Sequence, residues 1–425
     1  MLLINLLIEY FLLLPMAEYT LHQINNQVEH TEELVSKLRG FFKICASSFT
    51  GPDGIDDFVD SELLCFLDKS SPGQYFYLLH DGELASSCVV FTRKGYHANT
   101  MNLGISLVST NDKYRKKGLV SKLISWVINH YEGVNNESSE FEIGESITNG
   151  SSIEYINNQL PIEIRNNGNV NWTLYSIVGE FYTRFGFKPC RDLEWLAIHQ
   201  SEIQYEPFIL RDDGTELLIS SQDSHTITEG KNAFKVINDN KYQNCAPETT
   251  TFPSFIKRGQ LYIDTHLTND MNEKKSFLYD NCGITIKDNL TNTETSAFIC
   301  QFFYPGTIVI ARVVSDVLDK ETFDIHWNRI LQFVYTYANN AWNSFPCVKS
   351  NSVKSKKTAI IMANNDFQCK TGVITKEEFV DKLTGDNGWH NVQQGIFLPM
   401  IRPWRDAVKE EEEVSIADNG FWCVM

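Results

Sequence analysis

Between Gly118 and Tyr131 apolar residues return every four positions, at Leu119, Leu123, Val127 and Tyr131, and this period predicts a helix with one buried stripe. The run before it, Met101 to Ser109, reads as a strand, so Tyr114-Arg115-Lys116-Lys117-Gly118-Leu119-Val120 forms a strand-turn-helix junction. Upstream, a strand near Glu18 to Ile24 leads through Thr31, an N-cap with Glu32 and Glu33 in the first turn, into a helix carrying Leu34, Leu38, Phe41 and Phe42. A second helix covers Ser61 to Leu67, and strands Gln74 to Leu79 and Glu83 to Thr92 flank the hairpin signal Asp81-Gly82. Downstream, Trp172 to Ser176 reads as a strand. A short helix then sets Phe181 and Phe185 one turn apart and ends at Gly186 as a left-handed cap. A strand at Glu194 to Ile198 would finish this first unit.

From Ser201 the pattern starts again. It predicts a helix near Ser254 to Phe255 and strands at Gln260 to Ile263, Gly283 to Ile286, Ser296 to Phe303 and Thr307 to Val313. A helix from Glu321 to Ala338 follows, with Phe323, Trp327, Ile330, Phe333, Val334 and Tyr337 on one stripe, and then a buried strand, Lys357 to Met362. Strands beside one amphipathic helix make a second α+β domain over 201–425. Residues 133–170, rich in Asn, Ser, Glu and Ile, have no steady period and are too long for a helix-to-strand loop. They read as an insertion with no role, a lid over the substrate being the alternative.

The first amides of a helix lack partners inside it and carry partial positive charge, so the junction at Arg115 to Val120 can hold a pyrophosphate. Gly118, without a Cβ, permits close approach of the backbone. In this order and spacing, Arg115-Lys116-Lys117-Gly118-Leu119-Val120 and Phe181-Tyr182-Thr183-Arg184-Phe185-Gly186-Phe187 resemble the Gcn5-related N-acetyltransferase superfamily. Its signatures are Gln/Arg-x-x-Gly-x-Gly/Ala and Phe-Tyr-x-x-x-Gly-Phe. Arg115, Gly118 and Val120 occupy the signature positions, Val120 where the family prefers a small residue.

The resemblance covers residues 17–200 and implies an α+β (mixed α/β) acyl-CoA-binding fold; the second α+β domain could be a further copy of it. It implies acetyl-CoA as cosubstrate and no metal. Backbone groups of Leu107, Val108 and Ser109 would pair with the pantetheine amides, and the amides of Arg115, Lys116, Lys117, Gly118, Leu119 and Val120 would hold the pyrophosphate. Tyr182 would be the general acid, a phenol near 10 returning a proton to the departing thiolate; the alternative is that it only packs on the cofactor. Some multi-domain members use the chain-terminal carboxylate as base, which here would be that of Met425, against a tail packed only for stability.

Leu174-Tyr175-Ser176-x-Val178-Gly179-Glu180-Phe181-Tyr182 and Pro399-Met400-Ile401-Arg402-Pro403-Trp404, with the size of the second domain, look like the fungal free-lysine N6-acetyltransferases. That narrower likeness implies transfer to the ε-amine of free lysine, in lysine catabolism. A protein or polyamine N-acetyltransferase, or a catalytically silent acyl-CoA-binding scaffold, remain the alternatives.

Composition adds limits. A formal charge of −17 argues against sequence-independent nucleic-acid binding and suits a small cationic substrate, though solubility alone accounts for it. Ten cysteines without C-x-x-C spacing read as reduced thiols of an intracellular protein. The apolar leader, residues 1–16, lacks a basic start, contains Glu9 and is too short to span a bilayer; Met16 offers a second start. The expected place is the cytoplasm, without stable membrane insertion. Oligomeric state is left open.

Overall fold

The computed structural model describes residues 19–49, 54–68, 73–94, 101–132, 141–147, 170–190, 193–221, 251–267, 272–300, 306–344, 358–392 and 398–403. It is a mixed α/β structure built on two eight-stranded sheets. The first half runs β1 (Thr20–Asn25), α1 (Glu32–Ala46), α2 (Ile55–Leu67), β2 (Gly73–His80), β3 (Glu83–Lys94), β4 (Met101–Thr110), α3 (Leu119–Glu132), β5 (Glu142–Ile147), β6 (Val170–Ser176), β7 (Lys188–Pro189) and β8 (Trp195–His199). Thr31 caps α1 by accepting from the Leu34 amide, and α2 begins earlier than its apolar stripe suggests. Asp81 and Gly82 both have positive φ, as a two-residue hairpin turn requires.

Antiparallel β2, β3 and β4 form the middle of the first sheet, and β6 joins β4 in parallel. Helices α1 and α2 bury Leu38, Phe42 and Val59 against one face; α3 buries Leu123, Ile124 and Val127 against the other. Within the insertion, β5 pairs in parallel with β1 at the sheet's outer edge, away from β4 and β6. Residues 148–169 lie outside the described residues.

The second half runs β9 (Glu216–Ser220), α4 (Thr251–His266), α5 (Asn272–Asp280), β10 (Asn281–Asp288), β11 (Thr293–Cys300), β12 (Thr307–Ser315), α6 (Lys320–Ser344), β13 (Ala359–Ala363), β14 (Phe367–Cys369), α7 (Lys376–Asp386), β15 (His390–Asn391) and β16 (Leu398–Pro403). The six predicted stripe residues of α6 are all buried. The predicted strand Gln260 to Ile263 is instead helix. Ile256, Tyr262 and Ile263 are buried at helical spacing, and the short apolar run Leu261 to Ile263 fits either period. Lys370 and Thr371 make a turn, with Gly372 at φ 71°.

Order repeats between the halves: two helices, three antiparallel strands, a crossover helix and a parallel strand. The halves also exchange strands. The strand expected to finish the first unit at Glu194 to Ile198 forms as β8 but pairs antiparallel with β13, in the second sheet. In return β16, from the far end of the chain, pairs antiparallel with β6 and bonds β7 on its other side, in the first sheet. An apolar cluster including Tyr175 and Ile401 from the first sheet and Val309, Ala311 and Ile361 from the second joins the two. Between α2 and α4, the buried Arg258 donates to Glu62 and to Ser61, and His266 meets Asp57 at 2.6 Å. Among the described residues no helix is long and apolar enough to cross a membrane.

Candidate active site

Strands β4 and β6 stay paired only from Met101–Val170 to Gly104–Thr173. Beyond that they part, and there β4 bulges. Val89 opposes Ser106 and Ser87 opposes Ser109, so Leu107 and Val108 share Cys88 as their counterpart, and Leu107 takes φ 49°. A bulge leaves backbone groups outside the ladder, free for another partner. The fork opens into a cleft of about 600 Å³, within the usual range for a ligand site. Ile105 to Thr110 form one wall and Leu174, Tyr175, Ile177 and Val178 the other. Ser47, Ser48 and Phe49 close it from the end of α1, with Phe181 and Tyr182 on the remaining side.

Of the expected cofactor residues, Leu107, Val108, Ser109, Arg115 and Val120 line the cleft, and Lys116, Lys117, Gly118 and Leu119 are not part of its lining. The Arg115 guanidinium reaches Ser48 Oγ at 3.3 Å and Asp112 at 2.7 Å, so its charge is already shared with a carboxylate. Lys116 and Gly118 have φ of 67° and 74°, which folds the loop back on itself; only Gly118 does so without a Cβ penalty. Lys117 turns away from the cleft. Its ammonium donates to Tyr19 at 3.2 Å and lies over the Tyr19 and Tyr114 rings, while Tyr114 donates to Glu83 at 2.8 Å, so this group braces the loop from behind. Leu119 is 3% exposed, which leaves only its backbone for a ligand.

Tyr182 stands on a 3-10 turn, Gly179–Phe185, ended by Gly186 in the left-handed conformation at φ 83°. The backbone kinks at Glu180, so the segment is shorter and tighter than the expected helix, and Glu180 is exposed outside the cleft. Tyr182 is 7% exposed and packs edge-on against Phe181 and Phe187. Burial, and secondarily Cys88, hold its phenol well above the usual tyrosine value. It therefore keeps its proton at neutral pH, able to donate to charge developing in the cleft.

Among the described residues the second half has no open fork. There β12 pairs in parallel with β13 from Thr307 to Val309, and then again with β14 from Val313 to Ser315, so the slot is filled by the chain itself. The two crossover helices also begin differently. At α6, Asp319 caps the helix, its carboxylate accepting from the Thr322 amide at 2.8 Å and hydroxyl at 2.9 Å. At α3 the preceding residue is Gly118, whose carbonyl accepts from Lys122 and which has no side chain to cap with. One helix N-terminus already holds an anion; the other follows a glycine and lies beside Arg115.

Ser47, Ser48, Phe49 and Ile177 line the cleft without any mark in the sequence, since only the fold carries the end of α1 to β4. Met425 lies outside the described residues. Strand β16 runs from Leu398 opposite Ser176, near the cleft, to Pro403 opposite Asn171, away from it. Among the described residues no group of three His, Cys, Asp or Glu side chains is arranged to hold a metal ion.

No family model matches the chain, and neither does any curated protein. Among solved structures it is similar to a GCN5-related N-acetyltransferase from Kribbella flavida, at 12% identity over 92% of this chain and 72% of that one, with a TM-score of 0.38. It is also similar to a tandem GNAT protein from the clavulanic acid biosynthesis pathway, at 8% identity over 91% and 98% of the two chains, with a TM-score of 0.41. Likenesses this distant carry no weight for activity, which rests on the cleft.

Proposed function

We propose that this chain is an acetyl-CoA-dependent N-acetyltransferase whose acceptor is the ε-amine of lysine, free L-lysine in the first instance. The observation that carries the reading is the fork. Parallel strands part at Gly104 and Thr173, a bulge at Leu107 and Val108 faces the gap, a helix N-terminus at Arg115 to Val120 lies at one end, and a buried phenol, Tyr182, forms a side. An extended pantetheine can pair with the freed strand edge while the loop amides and Arg115 take the pyrophosphate. The neutral amine attacks the thioester carbonyl; the C–S bond breaks, Tyr182 gives its proton to sulfur, and the proton shed by nitrogen passes to water and restores the phenol. Amide and free thiol are the products.

The lysine acceptor is supported by two phrases of the sequence lying side by side. Leu174 and Tyr175 pair with Met400 and Pro399, so both segments of the narrower resemblance meet beside the Tyr182 turn. The charge of −17 favours a cationic acceptor.

The test is acetyl-CoA turnover with L-lysine, a lysine-containing peptide and spermidine. Free lysine is expected to give the highest kcat/KM. A preference for peptide or spermidine would move the acceptor, and CoA binding without turnover on any of them would make the chain a silent binder. Tyr182→Phe should lower kcat by about 10²-fold or more with acetyl-CoA affinity unchanged. An unchanged kcat would remove the acid role.

A further inference from the structure

We infer that Ser109, backed by the buried thiol of Cys45, receives an N–H of the acceptor amine; this rests on the acetyltransferase reading and adds an acceptor-side residue to it. Ser109 lines the cleft yet is only 5% exposed. Its hydroxyl donates to Cys45 Sγ at 2.9 Å. Ser87 Oγ lies 3.1 Å from Ser109 Oγ and 3.2 Å from Cys45 Sγ, closing a triangle of three groups, each 5% exposed or less. The backbone is held as well, since Ser86 Oγ donates to the Ser109 carbonyl at 2.8 Å.

A hydroxyl has one proton and two lone pairs. With its proton directed to sulfur, Ser109 has an acceptor left for the cleft, and what it can accept there is an N–H. Burial pushes the Cys45 thiol up from the ordinary value of 9.0, so at neutral pH it stays uncharged.

The position suits an acceptor. On the bulged strand, Val108 packs with the core under α3, to which Tyr182 also belongs, whereas Leu107 packs with the core under α1 and α2, to which Cys45 belongs. Ser109 and Tyr182 therefore stand on opposite faces of the sheet, with the fork between them. An amine held by Ser109 approaches the thioester from one face while the proton for sulfur comes from the other. Cys45 acts through Ser109 and is a positioning residue; at the end of α1 it also sets how far Ser47 and Ser48 stand from the bulge.

The experiment titrates the CoA-loaded protein with L-lysine and with spermidine by calorimetry, for wild type, Ser109→Ala, Cys45→Ala and Cys45→Ser, with thermal unfolding as a check on folding. Amine affinity should fall about tenfold in Ser109→Ala, fall in Cys45→Ala and recover in Cys45→Ser, whose hydroxyl can still accept, with CoA affinity falling less than amine affinity throughout. The inference is overturned if Ser109→Ala binds the amine as wild type does, if the variants lose CoA and amine alike, or if neither amine binds wild type. Turnover in wild type with an unchanged amine KM in Ser109→Ala overturns it while leaving the acetyltransferase reading intact. Ser109-dependent amine binding without acetyl transfer sustains it and ends that reading.

Discussion

Removing Arg402 should destabilise both halves of the molecule at once. Arg402, on β16, gives a two-pronged hydrogen bond to Glu132 at the end of α3, the second prong at 3.2 Å; Trp172 Nε1 adds a third donor at 3.0 Å. The two charged side chains are 7% and 4% exposed, so neither is solvated on its own account. Arg402→Met leaves the carboxylate buried, a change that costs about 3–5 kcal/mol where one partner of an interior pair is deleted. The remaining Trp172 bond offsets about 1 kcal/mol, which puts the expected loss at about 2–4 kcal/mol. Adding Glu132→Gln removes the stranded charge and keeps an acceptor for Trp172, so the double variant should be more stable than Arg402→Met alone. Because β8 and β16 are exchanged between the sheets, the two halves should unfold in one transition. The assay is urea unfolding followed by tryptophan fluorescence and by far-ultraviolet circular dichroism. A loss below about 1 kcal/mol, no recovery in the double variant, or two separate transitions would refute the reasoning.

His130, half-buried and stacked on Trp126 at 4.6 Å, has its Nε2 buried with no hydrogen-bond partner among the described residues, and burial holds its pKa down to about 4. The folded form stays neutral where the unfolded chain takes up a proton, so this stability is full above about pH 6.5 and is lost progressively down to pH 4. Wild type should therefore lose about 1 kcal/mol more than His130→Phe between pH 7.5 and 5.5 in urea unfolding; equal losses would contradict this. Asp112 shares the Arg115 guanidinium across an exposed 2.7 Å pair, so Asp112→Asn should tighten acetyl-CoA binding two- to fivefold at low salt, and the gain should vanish near 0.5 M salt. Calorimetry showing no gain at low salt would mean Arg115 does not meet the phosphates.

Much of the first half can be read in the sequence because its signals are local: the Thr31 cap, the Asp81-Gly82 turn, the four-residue period of α3 and the Gly186 stop each act within a few residues. The second half is harder to read. At 260–263 a three-residue apolar run cannot distinguish a strand from one turn of a helix; Glu216–Ser220 and Asn272–Asp280 show too little periodicity to announce themselves. The exchange of β8 and β16 leaves no local trace. Trp195 to Ile198 is simply a buried apolar run, and which sheet it enters depends on residues more than 150 positions away. Within the site, charge in the sequence was a poor guide to charge in the cleft. Lys117 sits in the motif but faces Tyr19, and the Cys45–Ser87–Ser109 triangle joins three segments that share no motif.

The two halves constrain function through their difference. Both present a parallel strand pair followed through a crossover helix, yet among the described residues only one of the forks is open, and the features that close the other are covalent parts of the chain: β14 in the slot and Asp319 at the helix end. Filling a slot with strand contributes ladder hydrogen bonds and apolar burial, whereas the open slot has a non-glycine residue, Leu107, at positive φ and a glycine, Gly118, directly before its helix. Those costs are met in the first half by contacts that converge on the cleft from behind: Tyr19 and Tyr114 around Lys117, Cys45 and Ser87 beneath Ser109, and β16 wedged between the strands that flank Tyr182. The last of these comes from the second half. Through β16 the second half supplies a strand to the sheet in which β4 and β6 part, directly beside the Tyr182 turn.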